Sequence, residues 1–513
     1  MSTAKTKLMG IVIAVIIVAA LAYFALMPAA PKKEVVLIVG STYDPQTLDP
    51  ALAYDIGSAM VIQNIFDTLL TYEPGTTKLT GKLAESWSVS PDGTVWTFKL
   101  RDNVYFSDGT KLDAEAVKYS IERAIDLKGP PSFLLDVVDQ VEVVDPLTVK
   151  IKLKEPYSPF ASIMAFALTS VVSPKAAEEL GEEFARKPIG SGPFILDSWV
   201  PGQEVVLKAN ENYWRGKPFV DKVIIKVIPD PSTLRLALEK GEVDMAFGIA
   251  PVDVAALKAN PDVKMAAIES LVIEWLGFNV NVPPLDDKLV RKAISYAINY
   301  DYIVENITHG VAVRAYGPLP PGVWAYDPDI ASYAYHYDPE KAKELLAQAG
   351  YPNGEGIPEL ELLISSEERP ERLEVASFIA SNLREIGINV RIKNVDWSTY
   401  LDALFAKNYT MHMVDWFPDY VDPDDWFYPL FYSENSLEGY GNEEVDRLIL
   451  KARKTADIEE RRQIYKQLQK LVVDDAPWVF LYVPKLYVFM RTNIEGFVLY
   501  PAYLIDFYPV QKT

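Results

Sequence analysis

Residues 338–395 read DPEKAKELLAQAGYPNGEGIPELELLISSEERPERLEVASFIASNLREIGINVRIKNV, and this stretch decides the fold class because helix and strand patterns alternate along it. Asp338 suits an N-cap, Pro339 suits the first helical position, and Gly350 marks the end of that helix. In order, the stretch predicts a helix over 339–349, a strand over 359–365, a helix over 370–386 and a strand over 388–395. Such alternation is typical of an α/β layer with mostly parallel pairing.

The first half of the chain is richer in strand patterns. Trp96, Phe98 and Leu100 alternate with polar residues, which predicts a half-buried strand over 94–100. Further strands are expected over 34–40 and 222–228, and a hairpin is expected over 141–153. Asp230 and Pro231 predict the start of a helix, and later in the chain another helix is expected over 301–308. A strand-rich first half and an alternating second half predict two lobes. Large ligands usually bind in the cleft between lobes.

The composition excludes several classes of function. The 513 residues carry a net charge of −21 without a basic stripe, so nucleic-acid binding is not expected. The chain has no Cys, which excludes disulfide scaffolds, zinc–thiolate sites, iron–sulfur clusters and thiol nucleophiles. It also excludes a lipoprotein-type anchor, whose lipid is attached to a cysteine.

The N-terminus carries an uncharged apolar run over residues 8–27, between Lys7 and Pro28. A helix of about twenty residues rises about 30 Å, which is the thickness of a bilayer core. We interpret the run as a retained membrane anchor. The alternative is a cleaved secretory signal, whose apolar region is usually shorter, about 7–15 residues. Either interpretation places the rest of the chain outside the cytoplasm, on the extracytoplasmic face of the membrane or secreted.

Signatures of catalysis and of cofactor binding are missing from the sequence. Gly190–Ser191–Gly192 is too short for a nucleophile elbow, and no phosphate-binding glycine loop opens a helix. The histidines and the acidic cluster lack the spacing of metal ligands; they are His309, His336 and His412, and Asp415, Asp419, Asp422, Asp424 and Asp425. We therefore expect no enzyme, no cofactor and no metal, with a secreted hydrolase that uses the acidic cluster as a distant alternative.

A series of short motifs runs from about residue 36 to 500. They are DPQTLDP at 44–50, NIFDTLL at 64–70, LAESW at 83–87, DGTVWTFKLR at 92–101, FSDG at 106–109, GSGPF at 190–194, NYW at 212–214, DYVDP at 419–423 and APW at 476–478. In this order the motifs resemble those of the extracytoplasmic solute-binding proteins of family 5, the peptide-binding class of ABC importer subunits. The resemblance implies a non-enzymatic receptor that delivers its ligand to membrane permease subunits.

The resemblance also implies the architecture, a two-lobe periplasmic-binding-protein fold of the cluster C type. The expected divisions are an anchor or signal segment with a linker over 1–34, lobe I over 35–275 with an inserted subdomain near 70–190, lobe II over 276–481, and a C-terminal return to lobe I over 482–513. The lobes would close on the ligand by a hinge, and the protein would act as a monomer.

In the family, an aspartate binds the N-terminal ammonium of a peptide, and the matching residue is Asp419 in the motif WFPD at 416–419. A charge-assisted hydrogen bond of this kind contributes about 1.5–3 kcal/mol. Trp416 and Trp397 would line side-chain pockets, and Tyr43 would face the cleft from lobe I. The alternatives are a solvated loop carboxylate or helix cap for Asp419 and plain core packing for the two tryptophans.

Two departures from the family pattern bear on the ligand. Asp415 stands where a small residue is usual. Short-peptide binders often carry basic or His residues between the tryptophans, whereas this chain has Leu404, Phe405 and Met413 there. These departures count against a short peptide with a fixed carboxylate, and they favour a longer peptide or a neutral oligosaccharide stacked on aromatic rings.

Overall fold

A mixed sheet of 12 strands organises the body formed by residues 36–513. The computed structural model describes residues 34–367 and 369–513. The apolar run over 8–27 lies outside these residues. Among the helices of the described part of the chain, none is long and apolar enough to cross a membrane.

The strands are β1 (Val36–Ser41), β2 (Leu70–Tyr72), β3 (Leu79–Gly81), β4 (Ala84–Val89), β5 (Val95–Leu100), β6 (Val138–Asp145), β7 (Thr148–Leu153), β8 (Phe194–Val200), β9 (Glu204–Ala209), β10 (Lys222–Val227), β11 (Met245–Phe247), β12 (Val263–Glu269), β13 (Ile273–Phe278), β14 (Ala312–Arg314), β15 (Leu360–Ile364), β16 (Val390–Asn394), β17 (Met411–Trp416), β18 (Trp478–Arg491), β19 (Ile494–Glu495) and β20 (Gln511–Lys512). The helices are α1 (Ile56–Ile65), α2 (Ala114–Leu127), α3 (Phe160–Ile163), α4 (Pro174–Leu180), α5 (Pro231–Glu239), α6 (Val254–Lys258), α7 (Lys288–Ala297), α8 (Tyr300–Tyr302), α9 (Pro339–Gln348), α10 (Glu371–Glu385), α11 (Trp397–Phe405), α12 (Asp424–Phe431), α13 (Glu443–Lys454) and α14 (Ile458–Asp475).

Strand β18 belongs to both halves of the large sheet. Its first part pairs with β13 and β14, where Gly277 lies opposite Trp478. Its second part pairs with β11 and β12, where Glu269 lies opposite Lys485. One half of the sheet therefore contains β8–β12 and β1, the other contains β13–β17, and β18 continues from one to the other.

The pairing directions follow from the connections. Strand β15 is parallel to both β16 and β17, as the alternating stretch predicts, because a helix follows each of β15 and β16. Strand β13 is antiparallel to β17 and to β18, and β9 is antiparallel to β8 and to β10. The expectation of mostly parallel pairing therefore holds for the alternating stretch and not for the sheet as a whole, which is mixed.

A separate antiparallel sheet forms from residues 84–153 in the order β4-β5-β7-β6. Trp96, Phe98 and Leu100 are all buried on one face of β5, and β6 and β7 form the expected hairpin. This sheet confirms the strand and hairpin predictions for this part of the chain. Helix α2 contacts it and is capped by Asp113, whose carboxylate accepts a hydrogen bond from the backbone N–H of Ala116 at 3.1 Å.

The predicted helix starts are also confirmed. Asp230 accepts from the N–H of Thr233 at 2.7 Å, and Asp338 accepts from the N–H of Lys341 at 2.9 Å. The one helix expected over 301–308 is instead a short α-helical turn, α8, followed by a π-helical turn over Ile303–Ile307. A π-helical turn inserts one extra residue, a change that a periodicity pattern over so few residues does not resolve.

Part of the acidic cluster serves the core rather than a site. The carboxylate of Asp422 accepts two hydrogen bonds from Arg461 of α14, at 2.9 and 2.5 Å, and both side chains are buried. The carboxylate of Asp424 accepts from the hydroxyls of Tyr420 and Tyr157, at 3.0 and 3.3 Å. These contacts attach the loop after β17 to the neighbouring helices.

Replacing Asp422 by Ala is expected to lower the free energy of unfolding by about 3–5 kcal/mol, because Arg461 would remain buried without its counter-charge. Urea unfolding followed by circular dichroism measures the change. The matched control is Glu183→Ala, which breaks the exposed pair with Lys187 and should cost less than about 1 kcal/mol. Equal losses in the two variants would contradict the structural role of Asp422.

Candidate ligand-binding site

A cavity of about 760 Å³ opens where the two halves of the large sheet meet. Tyr43 and Phe247 line it from the first half, Arg369 lines it from the second, and Tyr482 and Tyr487 line it from β18. Its volume falls within the range of about 300–1,000 Å³ that is usual for ligand pockets. The cavity therefore has the size and the place of a ligand site between lobes.

Tyrosines give this cavity polar groups on aromatic walls. The hydroxyl of Tyr487 donates to the carbonyl of Ile249 at 2.7 Å, and Tyr500 and Tyr503 also line the cavity. The hydroxyl of Tyr482 is buried and has no hydrogen-bond partner in the described part of the chain. A buried hydroxyl in a cavity wall without a partner can donate to a bound ligand.

A network of charged side chains lies beside the cavity. Arg372 donates to both carboxylate oxygens of Glu274, at 2.7 and 2.9 Å, and to Asp415 at 2.7 Å. Arg369, which lines the cavity, donates to the other oxygen of Asp415 at 2.8 Å. The network ties the first turn of α10 to strands β13 and β17.

Burial and charge act in opposite directions on the two carboxylates of this network. Burial alone would raise the pKa of Asp415, but the neighbouring Arg369 and Arg372 outweigh it and lower that pKa below its usual value. For Glu274, which is fully buried, burial outweighs the effect of Arg372 and the pKa is raised. Asp415 is therefore the more firmly ionised carboxylate of the two.

Asp419 follows β17 in the second half of the molecule and is contacted by a residue of the first half. Its carboxylate accepts a hydrogen bond from the hydroxyl of Tyr54 at 2.6 Å, and Tyr54 lies between β1 and α1. The contact joins a residue of the first half to a residue of the second. Burial raises the pKa of Asp419, and the hydrogen bond from Tyr54 offsets only part of that effect.

Asp425 lies directly behind Asp419. Its carboxylate accepts a hydrogen bond from the backbone N–H of Asp419 at 2.7 Å. Burial, and then the charge of Asp419, raise the pKa of Asp425 well above its usual value. Two carboxyl groups so close together favour the approach of a cation.

The two tryptophans are half-buried and lie at element ends. Trp416 is the last residue of β17 and pairs with Ile273. Trp397 is the first residue of α11, where its backbone N–H donates to Glu367, a cavity residue, at 2.8 Å. Its indole stacks on the ring of Tyr400, with centroids 5.2 Å apart and planes 9° apart.

Buried polar groups hold Tyr400 in position through its hydroxyl. Its hydroxyl hydrogen bonds to Nδ1 of His412 at 2.8 Å, and Nε2 of His412 hydrogen bonds to Glu438 at 2.9 Å. The indole N–H of Trp275 also donates to Glu438, at 3.2 Å. His412 is thus a core residue, and it supports the aromatic pair that includes Trp397.

The structure brings the four candidate residues to one region without placing all of them in the cavity wall. Tyr43 lines the cavity, whereas Trp397, Trp416 and Asp419 do not. Trp397 contacts the wall residue Glu367. Trp416 stands between Asp415, which contacts the wall residue Arg369, and Phe417, whose ring packs on Tyr503 of the wall with centroids 4.6 Å apart, and Asp419 follows two residues after Phe417. Their roles in ligand binding stay predictions.

Sequence reasoning missed Arg369 and Tyr54. Arg369 lies shortly after the carboxyl end of β15, and ligands in open α/β sheets bind at that edge, so this position carried a usable signal. Tyr54 lies in an irregular segment and meets Asp419, 365 residues away, so no local pattern could identify it. Leu404 and Met413 are buried, and only Phe405 of that trio is exposed.

In the part of the chain that the structure describes, the side chains of the acidic cluster have partners other than a metal. Within residues 34–367 and 369–513, no group of His, Cys, Asp and Glu side chains could hold a metal ion. The acidic cluster is divided instead among ion pairs, tyrosine hydroxyls and backbone donors.

Comparison with known proteins gives consistent matches along nearly the whole chain. The model of the bacterial extracellular solute-binding proteins, family 5, matches residues 78–438. The probable D,D-dipeptide-binding periplasmic protein DdpA of Escherichia coli (strain K12) is 33% identical over 495 residues, 93% of this chain and 94% of that protein. The glutathione-binding protein GsiB of the same strain is 34% identical over 491 residues, 92% of this chain and 93% of that protein.

The fold agrees with these relatives. The periplasmic binding protein DppA of Helicobacter pylori, associated with an ABC transporter and solved with the peptide STSA, superposes with a TM-score of 0.76 at 31% identity, covering 93% of this chain and 98% of that one. One assignment accounts for the two sheet halves joined by β18, the cavity between them and these matches. The chain belongs to the extracellular solute-binding proteins of family 5 and has their two-lobe α/β fold.

Proposed function

We propose that this protein captures peptides in the cleft between its lobes and delivers them to the permease of an ABC importer. The relatives bind a dipeptide, glutathione and a tetrapeptide according to their names, which supports peptides as the ligand class. The family consists of solute-binding proteins, so the function is recognition and transport rather than catalysis.

The contact between Tyr54 and Asp419 is the observation that carries the proposal. It places the carboxylate of Asp419 where a donor from the opposite lobe reaches it, at 2.6 Å. A carboxylate accepts up to about four hydrogen bonds, so the ammonium group of a peptide can bind the same side chain. The carboxyl group of Asp425 fixes the backbone at this position, because it accepts the N–H of Asp419 at 2.7 Å.

The aromatic residues supply the walls of the proposed cleft. Trp416 and Trp397 are half-buried beside the cavity, and Tyr43 lines it. Aromatic walls bury a large area of a ligand without demanding a particular side chain. A carrier that accepts peptides of varied sequence needs this kind of surface.

The change of partners along β18, from β14 up to Pro484 to β12 from Lys485 onward, supports a division into two lobes near the limits that the resemblance implies. We propose lobe I over 35–275 and 482–513, with the subdomain inserted near 70–190, and lobe II over 276–481. The ligand is enclosed as the lobes rotate about the strands that join them. The protein acts as a monomer on the extracytoplasmic side of the membrane, held by residues 8–27 or secreted after their removal.

An oligosaccharide is the second candidate ligand. The cavity is lined by Tyr43, Phe247, Tyr482, Tyr487 and Tyr500, and aromatic faces and hydroxyl groups of this kind also bind neutral sugars. The peptide is favoured because the carboxylate of Asp419 lies where residues from both halves of the molecule meet, and a neutral sugar has no cation to pair with it.

Asp419→Asn is expected to weaken peptide binding at least tenfold, or about 1.4 kcal/mol, because the substitution keeps the shape of the side chain and removes its charge. Isothermal titration calorimetry with a panel of peptides of two to six residues measures the change. For comparison, the thermal stabilisation of the protein by a matched panel of cello- and xylo-oligosaccharides is measured in a thermal-shift assay. Stabilisation by sugars alone, or unchanged peptide affinity in the variant, would overturn the proposed ligand.

Peptide affinity is expected to fall as the pH is lowered. The fall should begin at a higher pH than the one at which an ordinary aspartate takes up its proton. The ionised form of Asp419 binds the ammonium group, its pKa is raised by burial, and protonation as the pH falls through that raised value removes the attraction. The ligand's own ammonium group stays protonated between about pH 7 and about pH 4, so it adds no change.

Calorimetry across that pH range tests this expectation. In Asp419→Asn the residual affinity should vary much less with pH than in the unmodified protein. An identical pH profile in the two proteins would exclude Asp419 as the titrating group.

A further inference from the structure

Arg369 is the group that a ligand carboxylate would be expected to meet. It lines the cavity, and its side chain is 23% exposed. A guanidinium group in the wall of a peptide cleft is suited to bind a carboxylate through two parallel hydrogen bonds. The surroundings of Arg369 therefore bear on the charge that the ligand can carry.

Neighbouring carboxylates already balance the positive charge of Arg369. Its Nε and one terminal nitrogen both lie 2.8 Å from the same oxygen of Asp415. Carboxylates of Glu274 and Glu371 each lie 3.8 Å from its nitrogens. With Arg372, which contacts Glu274 and Asp415, two guanidinium groups face three carboxylates. The network has no surplus positive charge to offer an incoming anion.

The carboxylate of a short peptide would come near this network. Asp415 and Asp419 are four residues apart, so they lie within about 14 Å of each other even in a fully extended chain. A peptide of two or three residues spans about 7–10 Å. If its ammonium group is bound by Asp419 and its chain runs towards the cavity that Arg369 lines, its C-terminal carboxylate reaches the neighbourhood of Asp415 and Arg369.

We propose that Asp415 sets the ligand class of this protein by holding the guanidinium group of Arg369. The cleft then selects peptides that have no carboxylate within two or three residues of the ammonium group, which means longer peptides rather than dipeptides and tripeptides. This inference rests on the proposed peptide function and adds the length and charge of the ligand to it.

The neutral hydroxyl of Tyr482 fits the same conclusion. Glu274 is paired with Tyr482 across β13 and β18, so this tyrosine lies beside the network. Its buried hydroxyl has no partner in the described residues and can donate to a carbonyl oxygen. A peptide that continues past the network presents an amide carbonyl, rather than a carboxylate, to this hydroxyl. An amide carbonyl is uncharged, so a neutral donor such as Tyr482 satisfies it without a counter-charge.

Peptides of two, three and six Ala or Ser residues, each as the free acid and as the C-terminal amide, test the proposal by calorimetry on the unmodified protein. We expect the amides of two and three residues to bind at least tenfold tighter than the acids. For the hexapeptides we expect the acid and the amide to differ by less than about threefold, because their carboxylate lies beyond the network.

Asp415→Asn leaves two guanidinium groups facing two carboxylates and takes away the charged hydrogen-bond acceptor of Arg369. The affinity for the short free acids should therefore increase at least tenfold, so that the preference for amides is lost. Arg372 keeps its two hydrogen bonds to Glu274 in this variant, and thermal unfolding checks that the fold is retained. The control is Glu434→Gln, which removes one negative charge from an exposed position in the same lobe and should leave every acid-to-amide ratio unchanged.

The proposal is overturned if the unmodified protein binds the short acids as tightly as their amides, or if a folded Asp415→Asn variant keeps the original ratios. The proposed peptide function fails in a different way, by the absence of binding to every peptide of the panel or by unchanged affinities in Asp419→Asn. The two failures are therefore distinguishable in one set of titrations.

Discussion

The continuity of β18 is the constraint on which the rest of the structure depends. One strand of 14 residues pairs with β13 and β14 at its start and with β11 and β12 at its end, so both sheet halves share a single backbone. The cavity opens where the strand changes partners, and Tyr482 and Tyr487 line it from the strand itself. A rotation of one half relative to the other must pass through this strand, and a ligand in the cavity contacts it directly. This arrangement couples binding to lobe position.

The charged residues near the cleft have separate tasks that follow from their partners. Asp422 is neutralised by Arg461 and holds the loop after β17 against α14. Asp415 is bound to two arginines and joins β17 to α10. Asp419, by contrast, accepts a tyrosine hydroxyl from the other lobe, and no arginine within residues 34–367 and 369–513 contacts its carboxylate. An acidic side chain without a fixed cation, next to a second carboxyl group, is where a cationic ligand gains most. Nearby positions in the sequence thus serve the core (Asp422), the lobe framework (Asp415) and the proposed ligand site (Asp419).

The sequence predicted those parts of the structure that depend on local patterns. The helices around Asp230 and Asp338, the hairpin of β6 and β7, and the parallel strands β15 and β16 follow from capping residues and periodicity. The candidate ligand residues came from motifs of the family. What the sequence did not predict depends on contacts between distant residues: Arg369 meets Asp415 across 46 positions, and Tyr54 meets Asp419 across 365. Such pairs form only when the sheet halves assemble. For the same reason, the sequence alone showed Asp415 only as a departure from the family pattern. Its contacts with Arg369 and Arg372 explain why an aspartate occupies this position.

The central claim is that two lobes close on a peptide whose ammonium group binds Asp419. Small-angle X-ray scattering with and without a saturating peptide tests it most directly. The account predicts that the radius of gyration of the unmodified protein falls when the peptide is added, and that it stays constant in Asp419→Asn at the same peptide concentration. A radius of gyration that is the same for the free and the saturated protein would contradict the claim.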